Sequence, residues 1–145
     1  MSQAAEPALP GEHRGVEADA EHLRALLADT TDLAAVLDAE GRVLYLNRAG
    51  RRLLVLSAEP RPRPLSAFEV VAAADLRVLE VDVFPALHLD GWWTGNLTLI
   101  TTSGAEVPTR STLRLHPSAD GADPQITWVA RDISTEKAVY ERLHK

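Results

Sequence analysis

The chain has 145 residues and no cysteine. That single absence removes disulfides, thiolate nucleophiles, Cys-ligated zinc and iron–sulfur clusters. No apolar run approaches the roughly 18 residues that a membrane-spanning helix needs, so no membrane attachment is expected. A basic start followed by an apolar stretch is also missing, so no secretory signal is expected and the reading is cytoplasmic. Positive charge is in deficit. The formal net charge is −6, whereas a domain built to hold a phosphate backbone is usually basic, so nucleic acid is not expected as a direct partner. The glycines are scattered singly, with no phosphate-cradling loop, and G-x-S-x-G is absent. No two histidines have metal-ligand spacing, so no metal site is expected.

What remains is ordinary globular material. Hydrophobic residues make up 46% and charged residues 25%, close to the average soluble domain, and the length suits one core. Residues 1–15 hold Pro7, Pro10, Gly11 and Gly15 without an apolar period and read as a flexible N-terminal segment. Val16, Ala20, Leu23, Leu26 and Leu27 then recur at helical spacing among Glu17, Asp19, Glu21 and Arg24. The spacing predicts an amphipathic helix over 16–28. A helix that short is marginal alone, so its stripe must pack on something. These five apolar residues are the candidate interface of a homodimer.

Two short apolar runs follow, Leu33–Leu37 and Val43–Leu46, around the turn Asp38-Ala39-Glu40-Gly41, which predicts a hairpin. The second run is apolar at every position, which predicts burial on both faces. Asn47 stands where it can cap a helix over Arg48–Leu53. The run Glu59–Pro64 alternates proline and predicts a stiff loop. Helices are expected over Leu65–Ala74 and Leu76–Leu89, the second interrupted near Pro85. A turn around Gly91-Trp92-Trp93-Thr94-Gly95-Asn96, with one Trp covering the end of the core, opens a β-rich third. Alternating residues predict strands at 97–101, 107–116 and 126–131, with turns at Ser103-Gly104 and Pro117–Pro124. From Ser134 the pattern turns helical. Helix, two strands, helices, three strands and helix make an α+β fold with a mostly antiparallel sheet.

Few residues offer chemistry. The inward phase of the fourth strand offers Thr109 and Ser111, whose buried hydroxyls need partners: water, a ligand or backbone. A small α+β pocket enzyme would place a carboxylate or a Tyr–Asp arrangement there. Asp29, Asp32, Asp38, Asp120 and Asp123 are explained by turns and caps. His88 and His116 read as a helix-end and a turn residue. At Arg131-Asp132-Ile133-Ser134 a strand meets a helix, which Asp132 or Ser134 can cap.

Four segments taken in order resemble a PAS domain, a sensory module of bacterial signalling proteins, over about residues 20–138. They are the strand–turn–strand Ala35 to Asn47, the G-x-W-x-G-like Gly91 to Gly95, the glycine hairpin Ser103 to Pro108, and the closing Asp132-Ile133-Ser134. The resemblance implies a core over 29–133 with a five-stranded antiparallel sheet in the order 2-1-5-4-3, short helices on one face, a pocket between them, and a linker helix starting over 134–145. It implies a non-catalytic sensory or dimerisation module. A ligand- or partner-dependent bias would pass through the Asp132-Ile133-Ser134 junction to an output domain in a longer chain: a kinase, cyclase, phosphatase or transcription regulator. No cofactor is expected. Flavin–cysteinyl and coumaryl chemistry lack their Cys, and His88 is poorly placed as a haem ligand; an unknown small molecule is left open, with Thr109 and Ser111 as pocket-lining candidates. A ligand-free dimerisation scaffold is the neighbouring reading.

Overall fold

The structure is a computed structural model that describes residues 30–56, 64–117 and 123–143. The predicted segments 1–15 and 16–28, with the candidate interface residues Val16, Ala20, Leu23, Leu26 and Leu27, lie outside the described residues, as does most of the proline-rich loop.

Strands β1 (Leu33–Asp38) and β2 (Val43–Leu46) form the expected hairpin. Asp38 shapes its turn. One carboxylate oxygen accepts the backbone N–H of Glu40 and of Arg42, at 3.0 and 2.9 Å, and the other accepts Arg42 Nε–H at 2.7 Å. Gly41 has φ +90°, and a Cβ there would sit 3.1 Å from the Phe84 ring, so backbone freedom and lack of a side chain are both used.

A cascade of short helices crosses the sheet: α1 (Arg48–Leu53), α2 (Ala67–Val70), a 3₁₀ turn (Ala73–Asp75), α3 (Leu76–Val78), a π-helical turn (Leu79–Val83) and α4 (Phe84–Asp90). The expected helix over 65–74 is cut to one turn. Ser66 and Glu69 close a capping box at its start. The chain is then drawn onto the free edge of β3, where Ala72 N–H donates to Thr98 O at 2.8 Å and Asp75 accepts Thr98 N–H at 2.7 Å. Edge pairing outcompetes the next helical turn. The helical run to Asp90 is not broken at Pro85. Proline has no N–H to give, and the ladder shifts to i→i−5 ahead of it, Phe84 N–H donating to Leu79 O.

The strands β3 (Trp92–Ile100), β4 (Glu106–His116) and β5 (Gln125–Asp132) form an antiparallel meander, and β5 pairs back on β1. The sheet order is β2-β1-β5-β4-β3, as the resemblance to a PAS domain implied. Residues 92–96, expected as a turn, are strand. Paired with Arg114 to Arg110, they satisfy their backbone on β4. Burial on both faces belongs to β1, buried throughout Leu33–Leu37, and not to β2, where Leu44 is exposed. The physical reason is position: β2 is an edge strand, and its register slips at a bulge opposite Val36/Leu37. Helix α5 (Ser134–Leu143) follows β5 and has no buried residue.

The core lies between one sheet face and the helices. Leu79, Val83 and Leu87, four apart, are fully buried against Leu37, Leu97, Leu99, Leu113, Ile126 and Trp128. Among the described residues no helix is long and apolar enough to cross a membrane.

Candidate functional site

The inward face of the sheet carries the predicted Thr109 and Ser111, both fully buried. Their hydrogen bonds form a directed chain. Thr109 Oγ1–H donates to Leu97 O at 2.7 Å. Its one proton being used, Thr109 accepts from Ser111 Oγ–H at 2.9 Å. Ser111 Oγ in turn accepts Trp128 Nε1–H at 3.1 Å. Every donor has an acceptor, and both hydroxyls find partners in a neighbouring indole and a strand carbonyl. Trp128, only 1% exposed, is the largest side chain over this region. Alternation puts Trp128 and Val129 on opposite faces without choosing between them, and the structure turns Trp128 inward; its diagonal approach to Ser111 depends on the β4–β5 register, which pairs Ser111 with Ala130 and Leu113 with Trp128. A single sequence carries no signal for that register.

The tryptophan pair divides as expected. Trp93 packs against the core while Trp92 is half exposed. Gly95 is required beneath Trp93, since a Cβ there would fall 2.7 Å from the indole.

The junction Asp132, Ile133 and Ser134 closes β5 and opens α5. Asp132 Oδ1 accepts both Ser134 N–H, at 2.8 Å, and Ser134 Oγ–H. Ile133 N–H donates to Pro108 O at 3.0 Å, and Lys137 N–H to Ile133 O at 2.9 Å. Asp132 is thus the cap and Ser134 the capped residue. The root of α5 is fastened to β4, while Val139 and Leu143, four apart, stand exposed at 46% and 74%.

Asn47 performs its capping role and more. Its Oδ1 accepts Gly50 N–H and Ala34 N–H, and its Nδ2–H donates to Asp32 O, at 2.8, 3.0 and 2.9 Å. Fully buried, it ties α1 to the start of β1.

A groove of about 590 Å³ opens beside this tie, between α1, the start of β1 and the root of α5. Arg48, Arg52 and Arg131 line it, with Asp32, Asp132 and Glu136. Sequence reading did not bring these arginines together, because Arg48 and Arg52 belong to α1 and Arg131 to β5, far along the chain. A second, mainly apolar groove of about 470 Å³ runs between α5 and the β3–β4 edge, past Pro108 and Ile133.

His88 is exposed in the last turn of α4, and His116 Nε2 sits 3.0 Å from Thr127 Oγ1. Among the described residues no three His, Cys, Asp or Glu side chains gather as metal ligands. Among the described residues, Asp38 is the carboxylate whose titration is shifted. Burial pushes it up, but the N–H groups of Arg42 and Glu40 and the Arg42 guanidinium outweigh this and hold it below the usual range.

No family model matches the chain, and no curated protein matches it in sequence. Solved structures do match in shape. A PAS domain of a protein from Colwellia psychrerythraea superposes with TM-score 0.68 at 20% identity, covering 79% of this chain and 97% of that one. A PAS domain from a two-component sensor histidine kinase gives 0.64 at 15%, covering 81% and 98%. The Rhodobacter sphaeroides LOV protein gives 0.66 at 13%, covering 81% and 68%. At these identities the likeness is one of fold.

Proposed function

We propose that this chain, which has the PAS fold, is a non-catalytic sensory and dimerisation module of a signal-transduction protein. Its output travels through α5. The observation that carries the reading is the contrast along that helix. The Asp132 cap and the Ile133–Pro108 hydrogen bond anchor its root, yet it buries no side chain and leaves Val139 and Leu143 facing outward. A helix fixed to the sheet at one end and unburied beyond it transmits a tilt of the sheet to whatever it joins. The sensor histidine kinase origin of one similar fold supports an output domain in the same longer chain, whether kinase, cyclase, phosphatase or transcription regulator.

The partner in this reading is a second copy, held by the stripe Val16, Ala20, Leu23, Leu26 and Leu27 and extended along α5. Closed cyclic pairs are the commonest arrangement of soluble homo-oligomers. The ligand-free form of the reading is favoured by one observation: Trp128, Ser111 and Thr109 satisfy one another completely. The signal then arrives from a partner or at the surface, not in the core.

Light scattering on the purified chain tests the pairing. A mass near twice 15.8 kDa is expected at about tens of micromolar. Leu23→Glu with Leu27→Glu should halve it, and Val139→Glu with Leu143→Glu should weaken it. A wild-type mass of one chain at that concentration refutes the homodimer. An absorbance scan and native mass spectrometry on the same sample test the ligand-free core, which a co-purifying chromophore, or a metabolite retained by Arg52→Gln and Arg131→Gln, would overturn.

A further inference from the structure

The groove beside Asn47 collects three positive charges, each with a like charge as a near neighbour. Arg48 is the first residue of α1, where the helix dipole disfavours a cation. Arg52 lies one turn further on the same face, in the last turn, where the dipole favours a cation but Arg48 at that spacing repels it. Arg131 stands directly opposite Arg110 across the β5–β4 ladder, both exposed, another like-charge pair. Neighbouring carboxylates do not compensate. Among the described residues the ion pairs are those of Arg42 with Asp38 and Glu40, so Arg48, Arg52 and Arg131 have no described carboxylate oxygen within 4.0 Å. Asp132 on the groove wall is occupied by Ser134. Two further carboxylates, Asp32 and Glu136, face the same space without ion pairs.

We infer that this groove is a binding site for a phosphorylated small molecule bearing hydroxyl or amino groups. Its phosphate lies against Arg48, Arg52 and Arg131, and its donors reach Asp32 and Glu136. The phosphate neutralises all three cations through charge-assisted hydrogen bonds, and guanidinium forks suit its oxygens. The uncommitted carboxylates then act as acceptors for the rest of the molecule and discriminate against a bare anion. A volume of about 590 Å³ falls in the range of small-molecule sites. The site is separate from the buried chain of Thr109, Ser111 and Trp128, and it stands whether or not α5 leads to an output domain.

Calorimetric titration of the full chain with AMP, adenosine and inorganic phosphate, at constant ionic strength, tests this. AMP should bind at least about tenfold more tightly than adenosine or phosphate. Phosphate should compete with it. Arg52→Gln and Arg131→Gln, on different elements, should each weaken AMP by about tenfold or more. Asp32→Asn should weaken AMP and leave phosphate unchanged. Arg114→Gln, on the same sheet away from the groove, is the control for diffuse charge attraction. With no ligand present, Arg48→Gln should be at least as resistant to urea as the wild type, because a repulsion and an unfavourable dipole contact are both removed. The site is overturned if AMP shows no binding up to about 10 mM, if Arg52→Gln and Arg131→Gln bind AMP as the wild type does, or if Arg114→Gln weakens binding equally.

Discussion

Val55 is the residue where the backbone is most at odds with its side chain. Helix α1 ends in a Schellman arrangement: Leu56 N–H donates to Arg51 O at 2.8 Å and Val55 N–H to Arg52 O at 3.1 Å. The motif wants a left-handed residue, normally glycine, yet Val55 occupies it with φ 58°. A β-branched residue there carries roughly 1–2 kcal/mol of strain. Its side chain is 56% exposed, so little burial is lost by removing it. Val55→Gly should therefore stabilise the fold by about 0.5–1 kcal/mol, after allowing for the extra freedom glycine gives the unfolded chain. Urea midpoints check this. At the buried end of the scale, Ser111→Ala strands the Trp128 N–H and should cost about 1–3 kcal/mol. Adding Trp128→Phe removes the stranded donor, so the double variant should be clearly more stable than the two separate losses predict. Simple additivity would mean that the indole and hydroxyl do not interact as the 3.1 Å contact says. The inward phase of Thr109 and Ser111, like the capping role of Asn47, was legible in the sequence. Alternation and cap chemistry are local. The indole that meets Ser111 was not, because it comes from another strand.

Elements show the same division. Strands β4 and β5 follow their alternation closely, since a strand with one face in the core has only one acceptable phase. Helices in the middle of the chain do not follow theirs. The stretch 65–90 alternates between one α-helical turn, a 3₁₀ turn and a π turn because its backbone must both cover the β3 edge and accommodate Pro85. Neither demand is written in hydrophobic periodicity. The same holds for β3, whose first half looked like a turn from its glycines and proved to be strand once β4 lay beside it. The β1–β2 hairpin yields a test at this scale. The Asp38 carboxylate is held below its usual range, so its folded form favours ionisation. A group depressed in this way stabilises the fold above the ordinary carboxylate value, and that contribution is lost as pH falls through the folded value. Wild-type urea resistance should decline as pH falls from about 5 toward 3. Asp38→Asn should start lower at neutral pH and show a shallower decline. An equally steep acid limb in the variant would place the titrating group elsewhere.

For the whole molecule, stability is concentrated in the sheet and absent from its exit. The chain closes its core by returning β5 between β1 and β4, so the first and last strands of the domain are adjacent. Asn47 sits at that closure and holds α1, Ala34 and Asp32 together through three hydrogen bonds. Asn47→Ala should cost about 2–4 kcal/mol, since two buried N–H groups and a carbonyl lose their partner together, and the loss should register as global unfolding in urea. Helix α5 belongs to a different regime. Ten residues long with none buried, it falls below the length at which an isolated helix holds in water. Its amides should therefore exchange by local opening while those of β1 and β5 exchange only with the whole domain. If α5 pairs with a second copy through Val139 and Leu143, its protection is a property of the dimer and must rise with protein concentration. The protection of β1 should not change in parallel. Hydrogen exchange at about micromolar and about hundred-micromolar chain, with Val139→Glu alongside, separates the cases. Concentration-dependent protection that Val139→Glu removes is the expected result. Protection that is high at both concentrations and untouched by Val139→Glu would mean that α5 is held by its own sheet through the groove past Pro108 and Ile133, and that the exit helix is part of the domain instead of its link to another chain.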